Sequence, residues 1–246
     1  MSEDAYDFYP CLVDKAPASI YVNLGYQDDR PAAANTRYWV EITMLETGPH
    51  GIGTADEAEV LNALEEAAIA RVATLDLIYV GRIRHRGTWE MIFYGPEGHL
   101  GAIEEVANTA APTRRVETGS RSDPDWSYYR ELLLPDAERK QWMDDRRLVQ
   151  IFREQGDRLT TPRRVDHWAS FATAQERDAF VADATRSGFE LEPAALDEGD
   201  PPFEAQLFRV DPIELDQIHD VVMILVDAAT KHGGVYDGWE TSIESG

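Results

Sequence analysis

From Arg163 to Glu240 the apolar residues switch repeatedly between a two-residue and a helical period, and the order of switching leaves few folds open. Arg163–Phe171 alternates Val165, His167, Ala169 and Phe171 against Asp166, Trp168 and Ser170, the pattern of a strand with two unlike faces. Thr173-Ala-Gln-Glu176 then offers a capping box, and Phe180, Val181 and Ala184 carry a helix to a stop at Gly188. Phe189–Glu192 and Phe203–Val210 read as strands on either side of an acidic turn, Asp197–Pro202. Asp211-Pro-Ile-Glu214 places a cap, a first-turn proline and an N3 carboxylate before Ile218, Val221, Val222 and Leu225. His232-Gly-Gly ends that helix, and Val235–Glu240 is the last strand. The order βαββαβ predicts a ferredoxin-like sheet with one face buried under two helices.

The preceding residues alternate in the same manner with extra elements. Ser19–Gly25 and Thr36–Leu45 read as strands, the second with Tyr38, Val40, Ile42 and Met44 on one face. Thr54-Ala-Asp-Glu57 caps a helix through Leu61, Leu64, Ala68 and Val72. Leu75–Arg86 and Thr88–Gly95 form a hairpin near Gly87, and Gly98–Thr109 a second helix. Arg114–Thr118 and Trp126–Leu133 are further strand candidates, separated by Asp123-Pro124. A charged helix over Pro135–Gln155 is expected to pack on the first domain and lead to the second. The predicted class is α+β: two tandem ferredoxin-like α/β sandwich domains, the first with extra elements and a C-terminal linking helix. The boundary is expected over Gly156–Thr161, giving domains 1–158 and 159–246.

Charge narrows the function classes. The 246 residues carry 46 Asp+Glu against 23 Lys+Arg, a formal charge of −23. Such a surface repels phosphates, which argues against nucleic-acid and anionic-membrane binding. About half of the excess lies in residues 159–246, where 18 acids face 6 bases. No apolar run reaches the ~20 residues that span a bilayer, the N-terminus Met-Ser-Glu-Asp is unlike a signal peptide, and a cytoplasmic protein is expected. The single Cys11 makes neither an internal disulfide nor a Cys-based zinc site.

Catalytic constellations are not apparent. The six histidines, at 50, 85, 99, 167, 219 and 232, lack metal-ligand spacing, and no nucleophile elbow or Walker loop occurs. No cofactor, metal or catalytic residue is therefore expected. Gly51-Ile-Gly53 before the capped helix reads as an ordinary connection rather than an anion loop, and His219 and Asp220 as a solvated helix face. Arg82, Arg84 and Arg86 share one strand face, where internal ion pairing is the expected use. A second reading is an enzyme or small-ligand binder with its site in the first domain or at the domain interface, built on Tyr79, Arg82, Arg84, Trp126, Tyr128 and Tyr129.

The last domain offers the sharper pattern. If Val165, Ala169 and Phe171 face the helices, then Asp166, Trp168 and Ser170 face away. First and last strands are neighbours in this topology, which brings Asp166-His167-Trp168 beside Tyr236-Asp237-Gly238-Trp239. The expected partner-binding residues are Asp166, Trp168, Glu190, Glu192, Glu204, Tyr236, Asp237 and Trp239, aromatic anchors ringed by carboxylates. A basic protein segment fits that surface. The competing reading packs Trp168 or Trp239 against the first domain and makes His167 a core histidine satisfied by Asp237.

Arg163-Arg-Val-Asp-His-Trp-Ala-Ser-Phe-Ala-Thr173, Ser187-Gly-Phe-Glu190 and His232-Gly-Gly-Val-Tyr-Asp-Gly-Trp-Glu240 closely resemble the regulator of ribonuclease activity B family over residues 159–243. The resemblance implies a small acidic domain that binds ribonuclease E, or another RNA-degradation component, and inhibits RNA processing without chemistry of its own. Tyr79-Val-Gly-Arg82, Glu117-Thr-Gly-Ser120 and Trp126-Ser-Tyr-Tyr129 resemble a domain-of-unknown-function family that often precedes it. That second resemblance implies an arrangement and no activity.

Overall fold

The computed structural model describes residues 5–192 and 202–244, so the predicted acidic turn lies, apart from Pro202, outside the described residues. Two compact units divide between Arg139 and Lys140. This is earlier than the break expected over Gly156–Thr161, and the charged helix accounts for the difference. It runs from Ala137 to Glu154 (α3), and its Val149 is buried in the second unit's core with Leu148 and Phe152 packed alongside. The expectation that it packs on the first domain is corrected: its apolar stripe belongs to the second unit. Gly156, at φ +81°, ends it as predicted.

The first unit contains β1 (Tyr6–Val13), β2 (Ala16–Asn23), β3 (Thr36–Thr43), α1 (Ala55–Val72), β4 (Ile78–His85), β5 (Thr88–Gly95), α2 (Leu100–Ala110) and β6 (Val116–Ser122). Its six strands are antiparallel in the order β1-β2-β4-β5-β3-β6. Without the β1–β2 hairpin the remainder reads βαββαβ, so the extra element is a hairpin added at the β4 edge. The Thr54 hydroxyl caps α1 by accepting from Glu57 N–H at 3.2 Å. Glu57 does not complete the box; its carboxylate turns to Arg114 and to Leu45 N–H. Tyr38, Val40, Ile42, Trp89, Met91 and Phe93 meet Leu61, Ala68, Val72, Ile103 and Ala107 in one core beneath the two helices. Each fully buried Val, Leu, Ile, Met or Phe among them contributes about 1.5–3 kcal/mol.

The opposite face of this sheet is covered where Trp126, Tyr129 and Leu133 pack. Trp126–Leu133 is not the strand expected from its aromatic content. Asp123 accepts from Ser127 N–H (2.8 Å) and Tyr128 N–H (3.1 Å), and this N-terminal capping winds the segment into helical turns.

The second unit adds β7 (Arg163–Phe171), α4 (Ala174–Arg186), β8 (Glu190–Leu191), β9 (Phe203–Asp211), α5 (Leu215–Lys231) and β10 (Val235–Thr241) to α3. The sheet order is β10-β7-β9-β8, all antiparallel, as the βαββαβ reading requires. Thr173 and Glu176 form the predicted reciprocal capping box. The Asp211 cap does not form: its carboxylate accepts from Arg209 at 2.8 Å, and α5 begins after Glu214. Val165, Ala169, Phe171 and Leu207 of the sheet pack on Phe180, Ile218, Val222 and Leu225 of the helices.

Candidate functional site

Alternation along β7 separates two environments. Val165, His167, Ala169 and Phe171 are buried under the helices, while Arg164, Asp166, Trp168 and Ser170 point to the other face. On β9 the residues paired with this outer set are Glu204, Gln206, Phe208 and Val210. Glu190 pairs with Phe208, and Glu192 N–H donates to the Gln206 carbonyl, which brings both glutamates to the same face.

On β10 the register shifts between Tyr236 and Gly238. Asp237 is the inserted residue, and Gly238 takes a φ of +129° that suits glycine. One extra residue inverts every side chain beyond it. Trp239 therefore pairs with His167 rather than Asp166 and is buried at 5% exposure on the helix side. Tyr236 pairs with Ala169 and also turns inward. Six of the eight expected partner-binding residues, Asp166, Trp168, Glu190, Glu192, Glu204 and Asp237, thus lie on the outer face or its rim. Tyr236 and Trp239 are corrected to core-side residues.

The outer face is acidic with apolar footholds. Arg164 donates to Asp166 (2.6 Å) and Glu192 (3.0 Å) and lies 3.9 Å from the centre of the Phe208 ring. That guanidinium, with a hydrogen bond from Gln206 Nε2, holds the Asp166 carboxyl below the usual carboxylate range. Glu190, Glu204, Asp237 and Glu240 have no basic partner on this face among the described residues. Val210 and Val235, each 63% exposed, add apolar surface. A pocket of about 400 Å³ opens beside the half-buried Trp168, with Glu204, Asp237, Glu240 and Leu148 on its walls. An indole wall with three carboxylates suits a cationic side chain.

Behind the sheet, His167 Nδ1 lies 2.8 Å from the Tyr236 hydroxyl, and the competing expectation that Asp237 satisfies it is corrected. Its Nε2 is buried without a partner among the described residues, and Phe189 packs edge-on at 5.5 Å. Burial pulls the imidazole down to about 4. Between that value and the ordinary one near 6.5, the unfolded chain binds a proton that the folded chain refuses. Stability is therefore lost as pH falls through this window, by about 3 kcal/mol for this group. Urea unfolding of the chain and of His167→Phe at pH 7.5 and pH 4.5 checks it. The expected result is a much smaller pH loss in the variant, and equal losses in the two proteins would contradict the assignment.

His219 is not on a solvated face. Its Nδ1 donates to Asp145 of α3 at 2.8 Å, and Asp145, with no exposed surface, also accepts from Trp239 Nε1 (3.0 Å) and Gln141 Nε2 (2.9 Å). Asp220 is exposed, as expected.

The alternative residue set does not converge. Tyr79, Arg82 and Arg84 lie on the helix side of the first sheet, whereas Trp126, Tyr128 and Tyr129 belong to the segment on its other side. A bulge at Val80 allows Tyr79 and Arg82 to share a face. Both donate to Glu65 at 2.7 Å, the internal ion pairing expected of this arginine. Arg86 sits in the turn at φ +48° beside Asp14. Gly51 N–H and Gly53 N–H are taken by Gly48 and Thr47 carbonyls, so that loop offers neither to an anion. Burial pushes the Cys11 thiol up, away from reactivity. Among the described residues no His/Cys/Asp/Glu group could hold a metal ion, and no helix is long and apolar enough to cross a membrane.

Residues 142–241 match the family model described as Regulator of ribonuclease activity B. Residues 4–134, more than half of the chain, match the model described as Family of unknown function (DUF695). The chain belongs to the DUF695 family. Its DUF695 part ends just before α3, and the regulator part begins inside that helix, close to the division between the compact units. For the second part, that match supports a regulator of ribonuclease activity at the level of the family. No curated protein matches the chain. Among solved structures, an unknown protein from Galdieria sulphuraria is similar at 11% identity over 85% of this chain and 99% of that one. The TM-score is 0.23.

In this DUF695 protein the sequence reading missed Arg164, Phe208, Val210 and Val235 on the outer face. The alternation of Glu204, Gln206, Phe208 and Val210 was the signal for two of them. Asp145 had little local signal, because two of its three donors, His219 and Trp239, come from distant stretches of chain.

Proposed function

We propose that this protein is a non-enzymatic cytoplasmic regulator whose second unit docks a basic segment of an RNA-processing ribonuclease, ribonuclease E by family resemblance, on the outer face of its sheet. The observation that carries this reading is the pocket beside Trp168, walled by Glu204, Asp237 and Glu240. A lysine or arginine of the partner lies against the indole while its charge meets the carboxylates. Val210 and Val235 receive apolar neighbours, and the surrounding glutamates steer the encounter. Nucleic acid is refused by the same carboxylates.

The test is association with ribonuclease E from the same source, measured by calorimetry at two salt concentrations. Affinity is expected to fall at least about tenfold between about 0.05 and 0.3 M salt, because rim charges are screened. Trp168→Ala is expected to cost about 2 kcal/mol of binding. Glu204→Lys with Asp237→Lys should weaken binding further and flatten its salt dependence. No association at either salt would remove the named partner, and undiminished binding by both variants would move the site elsewhere.

A further inference from the structure

The first unit holds a pocket of about 620 Å³ whose wall carries two arginines, Arg37 of β3 and Arg121 of β6. They stand directly opposite each other in the antiparallel ladder, a position where like charges repel. Carboxylates outnumber bases two to one in this chain. Even so, neither guanidinium has a carboxylate within ion-pair distance among the described residues. Arg37 is held between two aromatic rings, its guanidinium carbon 4.6 Å from the centre of Trp39 and 3.8 Å from that of Tyr128. Rings on two sides strip its water and limit its rotation, which pre-organises the N–H fork that matches a carboxylate or phosphate. Glu90, which accepts from the Tyr128 hydroxyl at 3.2 Å, feels the Arg37 charge but makes no ion pair with it.

The loop beneath the pocket is built at a conformational cost. Trp126 adopts a φ of +54°, a left-handed conformation that is unusual for a bulky residue. It is held there by stacking on Tyr94 at 4.1 Å and by donating from Nε1 to the Ala34 carbonyl at 2.6 Å. Strain of this kind gathers where a binding geometry is held in place.

We propose that Arg37 and Arg121 form an anion site that takes the carboxylate or phosphate end of a small molecule. The pocket volume falls in the range of metabolite sites. Asp123, Asp125 and Glu131 also line it and repel a second negative charge, so the ligand's charge is confined to one end. Ser122 also lines the pocket and offers a hydroxyl to the remainder, whereas the Tyr128 hydroxyl is already given to Glu90. The site is separate from the outer face of the second sheet, and ribonuclease binding can fail without affecting it.

The experiment follows the arginine Nε–Hε signals of the full chain by NMR during titration with inorganic phosphate or L-lactate, against sodium chloride at equal ionic strength. The expected result is a saturable shift confined to Arg37 and Arg121, with half-saturation at about 1 mM or below, from at least one probe and not from chloride. Phosphate alone identifies a phosphate ester, lactate alone a carboxylic acid, and both the shared chemistry. Arg37→Gln and Arg121→Gln are each expected to weaken binding about tenfold or more. Arg115→Gln, which alters an exposed arginine already paired with Glu117, should leave it unchanged. Shifts that rise linearly and match chloride, or saturable binding that survives both substitutions, would overturn the proposal. Arg121 is exposed, so its variant keeps the test decisive if Arg37→Gln fails to fold.

Discussion

Replacing Glu65 by Leu is expected to destabilise the first unit by about 3–5 kcal/mol, one of the two largest single-residue effects foreseen in this chain. The Glu65 side chain is buried in the helix-side core, 4% exposed, and accepts from Tyr79 Oη (2.7 Å), Arg82 Nη1 (2.7 Å) and Trp89 Nε1 (2.6 Å). Burial and the adjacent carboxylate push the Tyr79 hydroxyl well above its ordinary range, so it remains a donor. Arg82 is enclosed as well, with its guanidinium carbon over Tyr21 at 4.7 Å and over Trp89 at 4.4 Å. Leucine would leave one buried charge and two buried donors without an acceptor, and each orphaned group costs its full desolvation. Urea unfolding followed by tryptophan fluorescence measures the loss. The double variant Glu65→Leu with Arg82→Met removes the stranded charge and should recover a large part of it. A single variant within about 1 kcal/mol of the parent would show that this network does not hold the sheet to α1.

Asp145→Ala is the counterpart in the second unit, with an expected loss of about 3–4 kcal/mol. Three donors converge on that one carboxylate: Gln141 from the same helix, His219 from α5 and Trp239 from β10. The substitution frees α3 from this polar anchor while apolar contacts such as those of Val149, Leu148 and Phe152 remain, the last stacked on Trp239 at 5.9 Å. Hydrogen exchange at the Trp239 indole provides a local readout, and it should accelerate far more than exchange at the Phe171 amide on the far side of the core. Trp239→Phe in the Asp145→Ala background should cost less than in the parent, because the indole N–H is already unpaired there. Additive losses in that cycle would mean the Trp239–Asp145 bond contributes nothing.

The elements with a clean period were legible in the sequence. Val165, His167, Ala169 and Phe171 revealed both the strand and its inner face, because every second residue of a strand faces the same way. Thr173 and Glu176 marked a helix start through a purely local pair of hydrogen bonds. β1 was not legible: it carries Pro10, and among the described residues its only strand partner is β2. Trp126–Leu133 was misread as a strand because its aromatic content outweighed the Asp123 cap that winds it. Asp211 was misread as a helix cap because Arg209, two residues away on the same strand, claims its carboxylate.

The candidate sites divide along the same line. Composition and alternation by themselves determined that the second unit is acidic, that its sheet has two unlike faces, and that Asp166, Trp168 and Glu204 share the outer one. Only the tertiary structure decided that Trp239 and Tyr236 face inward, since a single bulged residue, Asp237, inverts the parity of the strand. It also decided which charges are spent and which are left. Arg82 is consumed by Glu65 from α1, while Arg37 and Arg121 meet across a ladder between strands about eighty residues apart. Periodicity is a property of neighbouring residues and is written in the chain. The pairing of charges depends on which distant segments the fold brings together, and no local pattern carries that information.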